Sequence, residues 1–197
     1  MRLGLMGGTF DPVHIGHLIL AEQAKERFGL NKVLFVTAAN PPHKPNEALS
    51  DAAHRLEMTR LAVEDNDFFE CSTIEIDRAG TSYTIDTIRQ LLDIYGEKTE
   101  IYLLIGADEC RDLMSWREPH QICALAKIVV ANRPGLPVEE VIESLPANLS
   151  RNILRLQMPS VEISSTGLRE RIRAGRTIRY LVPQAVEDYI WAKSLYR

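Results

Sequence analysis

The residues with most chemistry to offer lie in the run Gly7-Gly8-Thr9-Phe10-Asp11-Pro12-Val13-His14-Ile15-Gly16-His17. The run follows directly on the apolar residues Leu3 to Met6 and leads into a helical pattern from Leu18 to Phe28, which predicts a strand, a glycine-rich turn and a helix N-terminus. Such a junction gathers unpaired backbone N–H groups at the positive end of a helix dipole, where an anion, and a phosphate above all, is stabilised. His14 and His17 add two imidazoles there. The first turn, His17 to Leu20, contains no Asp or Glu to complement the dipole, so the N-terminus is left to a negative ligand. Metal ligation is a rival reading of the histidine pair, because helical positions three apart bring Cβ atoms to about 5–6 Å. Only His17 is clearly helical, however, and no H-E-x-x-H pattern occurs. Phosphate contact leads, with metal ligation and a merely structural pair behind it.

The elements that must position this turn alternate along the chain. Gly29 ends the first helix, and Lys32 to Thr37 reads as a second strand with a nearly continuous apolar run, as in a parallel sheet covered on both faces. The loop Ala38 to Asn46, with three prolines, cannot be helix or central strand. Ser50 is placed to cap a helix from Asp51 to about Glu64, with Leu56, Leu61 and Ala62 inward and His54 and Arg55 on its solvated face. A strand is expected at about Glu70 to Ile76, then a turn from Arg78 to Thr84 that opens a helix carrying Ile85, Ile88, Leu91, Leu92 and Tyr95, closed by Gly96. Further strands are expected at Glu100–Ile105, Lys127–Ala131 and Ile153–Met158, with helical pieces from Cys110 to Ala126 broken at Pro119 and a short helix from Val138 to Leu145. A helix to about Arg173 and a terminal one with Pro183 in its first turn complete the chain. This alternation predicts an α/β fold: one doubly wound, Rossmann-like parallel sheet with helices on both faces and a C-terminal helical segment. Its ligand crevice lies beyond the C-terminal ends of the strands. The polar clusters fit that crevice, for Gly7 to His17, Asn40 to Lys44, Gly106 with Asp108, Arg133 and Ser164-Ser165-Thr166 each follow a strand.

These residues reach a family. Gly8-Thr9-Phe10-Asp11 with His14, Gly16 and His17 resembles the nucleotidyltransferase superfamily signature G-[ST]-F-D-x-x-H-x-G-H, and Ile163-Ser164-Ser165-Thr166 with Arg169 resembles its C-terminal motif. Pro41-Pro42-His43-Lys44, Ser82 to Thr87, Gly106-Ala107-Asp108, Trp116 and Arg133-Pro134-Gly135 resemble the bacterial nicotinate-nucleotide adenylyltransferases. The resemblance implies transfer of AMP from ATP to nicotinate mononucleotide, giving deamido-NAD and pyrophosphate, with Mg²⁺ brought by the ATP phosphates and no protein-held metal. It further implies that His14, His17 and Arg169 are catalytic, and that Gly8, Thr9, Phe10, Lys44, Gly106, Asp108 and Ser165 join them in binding ATP. Asn40, Thr84, Trp116 and Arg133 fall at positions that meet the mononucleotide, with backbone N–H groups around Tyr83-Thr84 and Trp116 holding the nicotinate carboxylate. Arg117 stands where relatives often carry Tyr, and Gly167 is unusual at a helix start.

Composition narrows the alternatives. At 197 residues and 45% hydrophobic content the chain is expected to form one domain, residues 1–197, with a sizeable core. A net charge of −4 without a basic block disfavours nucleic-acid and membrane surfaces, so phosphate binding must be local. Cys71, Cys110 and Cys123 are odd in number and widely spaced, which predicts reduced thiols. With no apolar run long enough for a signal peptide or a membrane span, a cytoplasmic protein is expected, and a homo-oligomer is left open. Three competing readings are a sister enzyme acting on phosphopantetheine, a nucleotide sensor without activity, and a metal hydrolase. The Ser82-Tyr83-Thr84 segment and Trp116 speak against the first, and the intact phosphate-handling residues against the second.

Overall fold

A computed structural model of the chain describes residues 1–42, 49–132, 135–150, 152–159 and 161–197, with the backbone alone at Asn148. Six strands form one sheet: β1 (Arg2–Gly8), β2 (Lys32–Thr37), β3 (Phe69–Ser72), β4 (Glu100–Gly106), β5 (Ala126–Ala131) and β6 (Ile153–Leu156). Their order is β3-β2-β1-β4-β5-β6 and each neighbouring pair is parallel. The chain moves outward from β1 through β2 to β3, then returns to the other side of β1 as β4. The strand order therefore reverses between β1 and β4, which is where a crevice opens at the C-terminal ends of a doubly wound sheet.

Period-two alternation assigns each strand's side chains to two apolar layers. Leu3, Leu5, Leu34, Val36, Ile101, Leu103 and Ile105 share one layer with Ile85, Ile88 and Leu91 of α4 (Thr84–Tyr95) and Ile122 of α6 (Pro119–Leu125). Met6, Val33, Phe35, Tyr102 and Leu104 share the other with α1 (Ile15–Phe28), α2 (Ala52–Val63), α9 (Ser165–Arg173) and α10 (Gln184–Ala192). The remaining helices are short: α3 (Ile74–Arg78), α5 (Ala107–Arg111), α7 (Val138–Glu143) and α8 (Ala147–Ser150). Among the described residues no helix is long and apolar enough to cross a membrane.

The alternation read from the sequence holds, and its departures have local causes. The strand expected to reach Ile76 stops at Ser72, the last residue paired with β2 (Val36↔Ser72). β3 borders the sheet and loses its neighbour as β2 runs out, so the β-branched Ile74 and Ile76 follow the chain into α3, where the backbone N–H of Asp77 donates to Thr73 O at 2.8 Å. Pro119 opens α6 instead of breaking a helix, and Pro183 sits just before α10 instead of inside its first turn. On α2 the inward face is Arg55, Met58, Thr59, Ala62 and Val63, while Leu56 and Leu61 are half-buried. Arg55, expected in solvent, is 2% exposed.

Candidate active site

The glycine-rich turn between β1 and α1 is held in an uncommon backbone path. Phe10 has φ 49°, in the left-handed region that costs a bulky residue about 1–2 kcal/mol, and the Asp11–Pro12 peptide is cis. Contacts from distant parts of the chain hold the turn from behind. Ser165 Oγ donates to Pro12 O at 2.9 Å, and Arg169 Nη1 donates to Asp11 O at 2.8 Å. Asp11 is 1% exposed; its carboxylate accepts from Tyr196 Oη at 2.6 Å and from the backbone N–H of Ser50 at 3.2 Å. Burial, then the Asp11 charge, push the Tyr196 phenol well above the ordinary tyrosine range. Arg55 Nη1 donates to Thr9 O at 2.9 Å, and the backbone N–H of Ile15 donates to Leu181 O at 3.0 Å.

The two histidines stand at the start of α1 in different roles. His14 precedes the helix in extended conformation and is 7% exposed, while His17 lies in the first turn, half-buried. Their rings stack, with centroids 3.7 Å apart and planes 21° apart, and the Phe10 ring meets His17 edge-on at 5.1 Å. The backbone N–H of His14 donates to His17 Nδ1 at 3.1 Å. A nitrogen that accepts carries no proton, so the neutral His17 ring bears its proton at Nε2. A Cβ at Gly16 would sit 3.1 Å from His14 Nδ1, which is why a glycine separates the two. No acid occupies the first turn of α1 or of α9, as the sequence indicated. On α9, Ser164 Oγ accepts from the backbone N–H of Gly167 at 3.1 Å, and a Cβ at Gly167 would lie 3.2 Å from that same oxygen. The glycine at this helix start thus leaves room for the cap.

Beside the turn, at the reversal between β1 and β4, lies a cavity of about 310 Å³. Gly8, Thr9, Tyr83, Thr84 and Trp116 all line it. Trp116 is half-buried against the sheet layer and keeps part of its surface toward the cavity. Arg117, also lining it, places its guanidinium 4.7 Å above the Tyr83 ring and pairs with Asp86 at 3.5 Å. On the floor, the Thr87 hydroxyl donates to buried Glu75 at 2.6 Å and accepts from Arg78 at 3.2 Å, which ties α3 to the start of α4.

The sites read from the sequence divide accordingly. Gly8, Thr9, Thr84 and Trp116 are brought together around the cavity; His14, His17, Ser165 and Arg169 gather at the turn beside it. Ser165 and Arg169, expected to face phosphate, spend the bonds above on the turn's own carbonyls, and Arg169 is 8% exposed. Asn40 does not line the cavity: its side chain donates to Gly80 O at 2.9 Å, and Ser82 Oγ accepts from the backbone N–H groups of Ala39 and Asn40 at 2.9 and 3.3 Å. Gly106 and Asp108 sit beyond it at the end of β4, where a Cβ on Gly106 would lie 2.5 Å from Asp108 Oδ1. Lys44 and Arg133 lie outside the described residues. The described residues contain no group of three or more His, Cys, Asp or Glu placed to hold a metal ion.

The sequence reading put Arg55 in solvent and gave no role to Glu75 or Tyr196. Arg55 carried a signal, since it shares helical spacing with Met58, Thr59 and Ala62 and so stands as a cation in an apolar stripe. Glu75 was hidden by the strand expected there. Tyr196 had none, because its partner is 185 residues away.

Comparison with known proteins places this geometry. The family described as cytidylyltransferase-like matches residues 5–171. A "probable nicotinate-nucleotide adenylyltransferase" of Thermoanaerobacter sp. is 46% identical over 200 residues, spanning 100% of this chain and 95% of the relative. A protein of the same description from Thermus thermophilus is 46% identical over 197 residues, the full length of both. In fold, the chain is similar to the Plasmodium falciparum nicotinic acid mononucleotide adenylyltransferase complexed with NaAD, with a TM-score of 0.82 at 17% identity over 99% of this chain and 97% of that one. The same enzyme complexed with APC gives 0.80, over 99% and 96%. The chain belongs to the cytidylyltransferase-like family and, within it, to the nicotinate-nucleotide adenylyltransferases.

Proposed function

We propose that the protein transfers AMP from ATP to nicotinate mononucleotide, forming deamido-NAD and pyrophosphate, by direct attack of the mononucleotide phosphate on the α-phosphate of ATP. The observation that carries this reading is the shared cavity. The turn read as a phosphate cradle, Gly8 and Thr9, lines the same cavity as Tyr83, Thr84 and Trp116. A mononucleotide whose ring meets the Trp116 face has its phosphate directed at that turn.

The attacking phosphate is already an anion at pH 7, so the reaction needs neither a protein nucleophile nor a strong general base. Catalysis is then positioning and charge stabilisation. His17 donates from Nε2 to an α-phosphate oxygen, and His14, stacked on it, fixes the ring plane. Phe10 contributes its backbone N–H, Lys44 and Arg169 add positive charge, and Gly106 and Asp108 meet the adenosine ribose. Asn40 seats the acceptor side through the Gly80–Ser82 turn, and Arg133 is the further mononucleotide contact that the resemblance implies. Mg²⁺, which the resemblance implies is brought by the ATP phosphates, would be held mainly by phosphate oxygens and water and would supply neutralisation of charge on the departing pyrophosphate.

Product identity tests the proposal. Incubation with ATP, Mg²⁺ and nicotinate mononucleotide is expected to yield deamido-NAD and pyrophosphate in equal amounts by mass spectrometry, with no AMP bound to the protein at any time. ADP or free AMP as the main product would contradict it.

A further inference from the structure

α2 lies outside the cavity, yet it delivers a buried cation to the backbone of the turn after β1 and of the segment after β2. Arg55 is 2% exposed, and its guanidinium donates to four main-chain carbonyls: Thr9 at 2.9 Å, Ala38 at 2.6 Å, Ala39 at 3.1 Å and Ser50 at 2.9 Å. Thr9 begins the turn after β1, and Ala38 and Ala39 begin the segment after β2. The two strands are paired as far as Gly8↔Thr37, and the backbone N–H of Ala38 still donates to Gly8 O at 2.9 Å. Beyond that point the two segments part, and Arg55 bridges them where the ladder ends. Thr9 and Ala38 both line the cavity.

In a planar trans peptide the N–H points opposite to the C=O. By holding Thr9 O from behind, Arg55 aims the Phe10 N–H away from itself, to the opposite side of the turn. By holding Ala38 O and Ala39 O, it aims the N–H groups of Ala39 and Asn40 at Ser82 Oγ, which accepts both at 2.9 and 3.3 Å. Ser82 opens the Tyr83-Thr84 turn, and all three residues line the cavity. One guanidinium thus sets the direction of a phosphate-facing N–H and, through Ser82, the seat of the acceptor turn. Packing does not explain it: at this place on α2, beside Met58 and Ala62, an apolar side chain would fill the space without desolvating a charge. A planar fork with five N–H donors suits several separated acceptors, and a lysine ammonium does not.

We propose that Arg55 is a positioning residue for adenylyl transfer, holding the ATP phosphate turn and the acceptor turn in register from outside the cavity. The inference rests on the adenylyltransferase reading above. Misplacement of reacting groups by about 1 Å costs up to roughly 10²-fold in rate. Loss of register therefore lowers turnover in the assembled complex more than it weakens either substrate alone.

The test compares wild type with Arg55→Lys and Arg55→Ala by steady-state kinetics in both substrates, with folding followed by circular dichroism. For folded Arg55→Lys, kcat is expected to fall about 10- to 100-fold with each KM within about threefold, and guanidinium ion at tens of millimolar, unlike sodium at equal ionic strength, is expected to restore part of the turnover of Arg55→Ala. A lowered melting temperature with wild-type kcat and KM in Arg55→Lys overturns the proposal, as does a folded Arg55→Ala that guanidinium leaves unchanged. If Arg55→Ala does not fold, Arg55→Lys decides alone. Wild type is assayed with nicotinate mononucleotide, nicotinamide mononucleotide and phosphopantetheine, so an error in the acceptor appears as a wild-type preference, and the Arg55 comparison is then made with the acceptor wild type uses.

Discussion

His17 is where local geometry has the most direct chemical reading. Its Nδ1 is engaged by the His14 backbone and its ring is framed by His14 and Phe10, so the ring has one orientation and one proton-bearing nitrogen. His17→Ala is expected to keep the wild-type circular dichroism spectrum and to lose about 10²–10³ in kcat, the range for removal of one preorganised donor to a developing anion. A large fall in melting temperature with turnover preserved would overturn the role. The thiols make a second test at this scale. Burial pushes Cys71 up to about 11 and Cys110 up to about 11, and raises Cys123. Because the folded values lie above the unfolded ones, the protonated thiols cost nothing at neutral pH, and stability falls only as pH climbs from the ordinary 9.0 toward about 11. Iodoacetamide at pH 7.5 is expected to leave native protein unmodified and to alkylate all three thiols in denaturant; rapid native labelling would contradict this. The motif residues were legible in the sequence because type and spacing announce them. Arg55 was not, because an arginine four residues into an expected helix reads as solvent-facing until its carbonyl partners are seen.

At the scale of elements, the glycine-rich turn is kept in shape by α2, α9 and the segment after α10. That last segment has Ser194 at φ 53° and Tyr196 at φ 66°, and it brings the Tyr196 hydroxyl 2.6 Å from Asp11 Oδ1. Hydrogen bonds to charged groups contribute about 1.5–3 kcal/mol. Tyr196→Phe is therefore expected to lower stability by about 2 kcal/mol, seen as a melting temperature roughly 4–8 °C lower at this chain length. An unchanged melting temperature would show that the bond contributes nothing to holding the turn. The long, periodic elements, α1, α4 and β1, were readable from the sequence, and the short ones at the edge of the sheet were not. β3 and α3 were merged because Ile74 and Ile76 suit a strand by side-chain type, whereas the end of the β2 ladder decides their state. The helical Ala147–Ser150 piece has no periodicity to announce it.

For the whole molecule, the decisive feature is the sheet order. The alternation of strands and helices predicted a doubly wound sheet with its crevice at the strand C-termini, and the order β3-β2-β1-β4-β5-β6 places the reversal beside the glycine-rich turn. What the sequence could not supply is which loops meet across that reversal. Gly8 and Thr9 line one cavity with Tyr83, Thr84 and Trp116, although α1, β2, α2, β3 and α3 lie between the two groups in the chain. The central claim is that this cavity selects a pyridine mononucleotide acid as the acceptor. The most direct test is pyrophosphate release from ATP and Mg²⁺ with nicotinate mononucleotide, nicotinamide mononucleotide or phosphopantetheine as acceptor. Fastest release with nicotinate mononucleotide is the predicted result, and release with phosphopantetheine alone would contradict the account.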